Sequence, residues 1–300
     1  MDIDRTISDT PEVPKLTSAN DDAFTPQLGL VRQLVLFEGA TRVIRANEAE
    51  KADELWQGEA FDPARASDPA VAIYFRIGSA QALVAELVCG CMAQQLGLPA
   101  PEVFVLAVPS GLLAASVLVK PDQSAVCVAT RDLGGETFSQ FLNDNEGAAL
   151  QLLRQWPELG KVAAFDEWTA NVDRNLGNII YAATSLHIID HAEAFGGSVR
   201  ELVPLAGLTG LKMINKLSGV LNALNASSRD AILKDLHTWL GATAAEVDIG
   251  SVVTRARISQ WSTDEQNLEL VDFLRQRLPL THSLLCQQLG HPQLPLKAAN

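Results

Sequence analysis

The sequence predicts an α+β protein whose strands come first and whose helices follow, and three observations carry that prediction. Between residues 30 and 131 the apolar residues fall in short β-branched and aromatic runs set off by turn residues. After Gly134-Gly135 they recur at helical spacing almost to the end of the chain. One helical run, residues 81–97, stands inside the strand-rich part and supplies an apolar surface for a sheet to pack on. The change of pattern between Thr130 and Gly135 predicts a β-rich unit over 25–131 and a larger, mainly helical unit over 132–300. A chain of 300 residues, 47% of them hydrophobic, is long enough to bury a sizeable core.

The elements follow in order. Residues 1–24, rich in Asp, Thr, Ser and Pro and without periodicity, read as a disordered acidic tail. LVRQLVLFEGATRVIRA (30–46) alternates on either side of Glu38-Gly39, which predicts a hairpin. The acidic stretch 47–70, with two Asp-Pro steps, reads as an exposed insertion holding at most one short helix. VAIYFRIG (71–78) is a strand by composition. QALVAELVCGCMAQQLG (81–97) is a helix by the spacing of Val84, Val88, Cys91 and Met92, stopped by Gly97 with Pro99 beyond. PEVFVLAV, LLAASVLVK and SAVCVATRDL read as three more strands. From ETFSQFL onward the pattern is helical, through LKMINKLSGVLNALNA, SRDAILKDLHTWLG, NLELVDFLRQRL and SLLCQQLG. Only the short strands NIIYAA and SLHIID break it.

Composition narrows the function. A formal charge of −13 makes the average surface repel phosphate backbones, so nucleic acid is not an expected partner. No run approaches the roughly 20 apolar residues that span a bilayer, and the first residues lack the pattern of a secretory signal. The expectation is a cytoplasmic protein without a membrane partner. Cys89, Cys91, Cys127 and Cys286 fit no zinc spacing and read as buried thiols.

NVDRNLGN (171–178) concentrates an acid, a base and amides between apolar neighbours. A calcium loop would need Gly at its sixth position and Glu at its twelfth, where Leu176 and Ala182 stand. A turn rich in Asx residues would also fit the octamer taken alone. Phosphoryl transfer asks for a carboxylate to meet the incoming hydroxyl and hard oxygen ligands for Mg²⁺. Asp173 and Asn178 have the D-x-x-x-x-N spacing of a kinase catalytic loop. Twelve residues on, LHIID delivers Asp190 at the end of a short apolar strand, where a second, charged metal ligand belongs.

With these residues in view, FDEWTANVDRNLGNIIY followed by IIDHAEAF resembles the HipA-like kinases, and ALVAELVCGCMAQQLGLPAPEV is similar to a helix of that family. The resemblance runs from about Glu38 to Phe195. It implies a bilobal kinase-like fold, a small β-rich lobe and a helical lobe with ATP between them. Asp173 would be the catalytic acid-base residue and Asn178 and Asp190 the Mg²⁺ ligands. Arg76 stands nearest to the family's phosphate-binding lysine, and Glu86 where a carboxylate supports that cation. Gly39, Ala40 and Thr41 would form the small-residue turn over the phosphates, and 129–133 the hinge. Lys120 is a second candidate for the missing lysine, with an exposed strand-end lysine as its plain alternative. Gly177 would provide the turn that aims Asn178. Arg174 would neutralise nearby charge or form a surface salt bridge. The implied reaction is transfer of the γ-phosphate to a hydroxyl, with Ser or Thr of a protein substrate as acceptor. Two alternatives stay open: a catalytically silent kinase-fold protein that binds nucleotide or a partner, favoured by Arg in place of Lys, and a nucleotidyl-transferring variant of the fold.

Overall fold

The computed structural model describes residues 30–43, 53–213, 215–242 and 246–290. The acidic tail predicted for 1–24 lies outside them. Six strands form the first sheet: β1 (Gln33–Leu36), β2 (Thr41–Val43), β3 (Glu54–Phe61), β4 (Val71–Ile77), β5 (Val103–Val108) and β6 (Ala125–Arg131). Their order is β1-β5-β6-β4-β3-β2, and β1 pairs with β3 as well, which curls the sheet into a small barrel. A helix, α1 (Ala80–Gln95), follows β4.

Period-2 alternation divides the sheet between two cores. Phe75, Ile73, Phe104, Leu106, Cys127 and Ala129 face the barrel interior with Trp56 and Leu34. Val103, Val105 and Val128 point the other way, into a larger core shared with α1 and the helices that follow. Arg76, next to Phe75, is thereby turned out of the barrel and towards α1. The helix starts at Ser79, whose side chain accepts from the Ala82 amide. It ends where Gly97 takes a left-handed φ of 65° and the Leu98 amide bonds back to Ala93.

Beyond residue 131 the chain forms a three-stranded sheet of β7 (Glu136–Thr137), β8 (Ile179–Ala182) and β9 (Ser185–Ile188). The helices are α2 (Phe138–Asp144), α3 (Glu146–Gln155), α4 (Leu159–Trp168), α5 (Leu205–Leu208), α6 (Leu217–Asn222), α7 (Ala226–Ala242), α8 (Ile249–Arg255), α9 (Asp264–Arg277) and α10 (Thr281–Gln288). Every residue of α4 except Lys161 is buried, and the helix carries two acids, Asp166 and Glu167. A carboxylate there demands a partner, and each has a fully buried arginine: Arg174 for Asp166, Arg277 for Glu167. Backbone bonds join the two parts of the chain, with the Ile188 amide donating to Pro99 and the Val31 amide to Arg255. No helix among the described residues is long and apolar enough to cross a membrane.

The structure corrects four expectations. The described part of the expected 30–46 hairpin, residues 30–43, does not form one, because β1 and β2 lie along the same edge of β3. Leu36 opposes Ala60 and Thr41 opposes Gln57, so the intervening residues are a bulge in one interrupted strand. Gly58 makes room for it, since a Cβ there would stand 3.1 Å from Leu36 and 3.4 Å from the Ala40 methyl. Residues 54–61, inside the expected insertion, are instead a strand of the barrel with Trp56 buried. The acidity that suggested a surface loop includes Glu54, which is 1% exposed. LLAASVLVK is a loop rather than a strand, and Glu54 holds it by accepting from Ser116 Oγ at 2.7 Å and the Val117 amide at 2.8 Å. Among the described residues of LKMINKLSGVLNALNA, only those of α6 and Ala226, the first residue of α7, are helical.

Candidate active site

Three carboxylates converge on Arg76. Its Nη2 lies 2.7 Å from Asp190 Oδ2, its Nε 3.6 Å from Glu86 Oε1, and its Nη1 pairs with Asp53 at the start of β3. The guanidinium is 8% exposed and Glu86 5%. Burial works against the charge of Arg76, yet Asp190, Glu86 and Asp53 together raise its pKa. Glu86 responds the other way. Burial, with the Asp190 carboxylate alongside, pushes it up to about 7, against the pull of Arg76 and the His191 amide. That amide donates to Glu86 Oε2 at 3.0 Å, fixing α1 to the segment that carries Asp190. Asp190 itself has a left-handed φ of 59°, uncommon outside glycine but tolerated by Asp.

Arg76, Glu86 and Asp190 line an open cleft together with Leu55, Tyr74, Val128 and Thr130. One wall is the face of β4 and β6 turned away from the barrel interior, and the floor is the Ile189-Asp190 step that follows β9. Thr130 is within the expected hinge, and the chain turns there. The Asp132 amide donates to Ala72, and the Gly134 amide to the Asp132 side chain at 2.7 Å. Gly135, at φ 81°, is where a Cβ would strike the Tyr181 carbonyl at 2.2 Å, so only glycine lets this turn lie against β8.

The loop 171–178 sits beside that floor. Asn171 Oδ1 accepts from the Asp173 amide at 3.1 Å, and the Asp173 carbonyl accepts from the side chains of Asn175 at 3.0 Å and Asn178 at 2.8 Å. The Asn178 amide nitrogen is thus occupied, and its oxygen is the end left for a cation. The Ile189 amide donates to the Asn178 carbonyl at 3.1 Å, so the loop and the Asp190 segment share a backbone bond. Arg174 reinforces the junction. Fully buried, it bonds Asp166 at 3.1 Å, the carbonyls of Asn178 (3.0 Å) and Ile189, and His191 Nδ1 at 3.0 Å. Arginine only donates, so the His191 Nδ1 is the acceptor and the ring is neutral. Burial and Arg174 both hold its pKa well below the usual range.

Of the residues singled out from the sequence, Arg76, Glu86 and Asp190 share one ion-pair network, and Asn178 is bonded to both the Asp173 and the Asp190 segments. Asp173 and Asn178 do not line the cleft as it stands. Neither do Gly39, Ala40 and Thr41, because they occupy the bulge beside β3, further along the sheet than Leu55 and Arg76. Gly177 lacks a left-handed φ; it lies in a 3₁₀ turn and donates to Asn175 Oδ1 at 2.8 Å, where a Cβ would crowd that oxygen. Arg174 makes no surface salt bridge. Lys120 is exposed in the loop before β6. Sequence reasoning missed Asp53, Asp166 and Lys216, whose Nζ lies 3.2 Å from Asp173 Oδ1. Only Asp166 had a signal: an acid inside an apolar helical run, the argument that singled out Glu86.

Among the described residues no group of three or more His, Cys, Asp or Glu could hold a metal ion by itself. Magnesium needs less, one or two carboxylates with substrate phosphates completing its shell. The chemistry here fits it. Asp190 and Asn178 offer it hard oxygen beside the cleft, with Glu86 next to Asp190.

Residues 73–203, which hold Arg76, Glu86, Asp173, Asn178 and Asp190, match the profile of a family described as HipA-like kinase. This bears out the resemblance read from the sequence and supports phosphotransfer of the kinase type. A search of curated proteins found no match. Among solved structures, the crystal structure of the Helicobacter pylori proinflammatory kinase CtkA aligns over 77% of this chain and 91% of that one. The identity is 13% and the TM-score 0.47, so that likeness carries no argument.

Proposed function

We propose that the chain is an ATP- and Mg²⁺-dependent kinase that transfers the γ-phosphate to a hydroxyl, with Ser or Thr of a protein as the acceptor. The observation that carries this is the Arg76–Glu86–Asp190 network on the wall and floor of the cleft, bonded through Asn178 to the loop bearing Asp173. In this reading residues 25–131 and 132–300 are the two lobes of a kinase-like fold, ATP enters between them, and adenine meets the backbone of 129–133.

Each side chain then has a defined task. Arg76 binds phosphate oxygens, and Glu86 holds its fork in place while α1 stays docked. Asp190 and Asn178 hold Mg²⁺, which when bound neutralises phosphate charge and draws the phosphates into line. Asp173 orients the acceptor hydroxyl and takes its proton. Little covalent help is needed, because positioning and electrostatics dominate phosphoryl transfer. The test is incubation with γ-labelled Mg-ATP. Asp173→Ala is expected to lose at least about a thousandfold in transfer while still binding nucleotide. Transfer at the wild-type rate in that variant ends the proposal.

A second reading has its own observation: the arginine where the family carries lysine is held by three carboxylates, one of them the proposed metal ligand. On that reading the chain binds nucleotide and does not turn it over. Thermal stabilisation by Mg-ATP with neither labelled product nor released phosphate selects it. A nucleotidyl transfer would show as a larger added mass on the acceptor.

A further inference from the structure

Asp173 has a basic partner that no motif announces. Lys216 precedes α6, 43 residues beyond Asp173, and its Nζ stands 3.2 Å from Asp173 Oδ1. Within the loop the cationic neighbour, Arg174, is turned inward to Asp166, so among the described residues Lys216 is the basic side chain bonded to Asp173. Both members are substantially exposed, at 51% and 38%. A pair so solvated contributes little to stability and breaks readily when another anion arrives.

The backbone under Lys216 is nonetheless fixed. Asn215, only 4% exposed, donates from Nδ2 to the Ala163 carbonyl in α4 at 2.8 Å. Its Oδ1 accepts from the Leu217 amide at 3.0 Å, and its carbonyl from Ser218 Oγ at 2.6 Å. The same helix anchors the catalytic loop, through Asp166 to Asn171 and Arg174. Lys216 and Asp173 are therefore carried by two segments fastened to one rigid element, and only the four-carbon stem of the lysine is free to move.

We propose that Lys216 is a further catalytic residue of the phosphoryl transfer, leaving Asp173 to neutralise the γ-phosphoryl oxygens as they pass to the acceptor. This rests on the kinase reading above. The acceptor oxygen bonds to the γ-phosphorus as the bond from that phosphorus to the β,γ-bridging oxygen breaks. The electron pair of that bond leaves with ADP, and the acceptor proton passes to Asp173. Lys216 keeps its protons throughout and only donates hydrogen bonds. Charge accumulates on the equatorial oxygens during this step, and while Arg76 is paired with Asp190, Lys216 is the cation that stands beside Asp173, the residue that meets the acceptor in this reading.

The experiment compares wild type with Lys216→Met and Lys216→Arg in two measurements. In the first, γ-labelled Mg-ATP is supplied and labelled protein plus released phosphate are followed. Lys216→Met is expected to lower kcat about a hundredfold with KM for ATP within about threefold, and Lys216→Arg to recover part of the loss. In the second, calorimetry measures binding of Mg-ADP with and without aluminium fluoride, a mimic of the transferring group. The tightening that fluoride gives wild type should largely vanish in Lys216→Met, while Mg-ADP alone binds as before. Wild-type kcat and wild-type fluoride tightening in Lys216→Met overturn the role of the lysine alone. Absence of any transfer by the wild-type chain, with nucleotide bound, overturns the kinase reading and this role with it.

Discussion

Arg174 and Arg76 are both buried arginines facing acids, and they are built for different ends. Arg174 meets one carboxylate, two carbonyls and a neutral imidazole, in a space with no exposed surface. Its charge is balanced and its fork is saturated. Arg76 meets three carboxylates beside a cleft, and burial, with Asp190 alongside, pushes one of them, Glu86, up to about 7. A balanced cluster holds a loop in shape. A carboxylate-rich one beside a cleft is where the kinase reading proposed above puts its divalent cation.

The comparison breaks first, and with the largest effect, at Arg174. Arg174→Met leaves Asp166 buried and unpaired, which costs about 3–5 kcal/mol, and frees the carbonyls of Asn178 and Ile189 that the arginine joins. Chemical denaturation should show that loss, and added Mg²⁺ should not restore it. A variant as stable as wild type would mean that the buried pair is not what fixes the loop.

Arg76→Met removes the same charge from the other cluster and should behave differently. Glu86 and Asp190 line the cleft rather than a closed core, so the expected cost is smaller, about 2 kcal/mol. Millimolar Mg²⁺ should recover part of it by occupying the vacated charge, raising the melting temperature of the variant more than that of wild type. If Mg²⁺ stabilises both equally, the carboxylates around Arg76 are not a cation site.

The same contrast explains what could be seen in the sequence. Asp173, Asn178 and Asp190 could be singled out as candidates because the signal for them is local: one loop spacing and one strand end mark all three. Glu86 was legible because an acid in an apolar helix has few other uses. The barrel was harder. Alternation marks a strand but not its neighbour, so β1 and β2 read as partners of each other when both pair with β3. β3 itself was hidden by Glu54 and Glu59, although Glu54 is buried for a reason 62 residues away, at Ser116. Asp53 and Lys216 reach the site across 23 and 43 residues, and no spacing rule connects residues that only the fold brings together.

The smallest expected effect sharpens the comparison at the residue beside Asp166. Glu167 pairs with Arg277 at 2.6 Å, and both are fully buried. Burial, only partly opposed by Arg277, pushes the Glu167 carboxyl up to about 7 from 4.5. The folded state therefore holds this proton more tightly than the unfolded chain. The stability from that difference is fully present below the unfolded value and is lost as pH rises through about 7. Linkage puts the loss at about 1 kcal/mol between about pH 6 and pH 8. His187, His191 and His282, all lowered mainly by burial, act in the opposite sense as pH falls through the ordinary histidine range, so wild type alone cannot isolate the carboxyl. The difference between wild type and Glu167→Gln does, because the histidine contributions cancel. Denaturation across that range should show wild type losing about 1 kcal/mol relative to the Gln variant. Parallel curves would mean that Glu167 is ionised throughout, and that α4 carries two balanced pairs rather than one balanced and one proton-dependent.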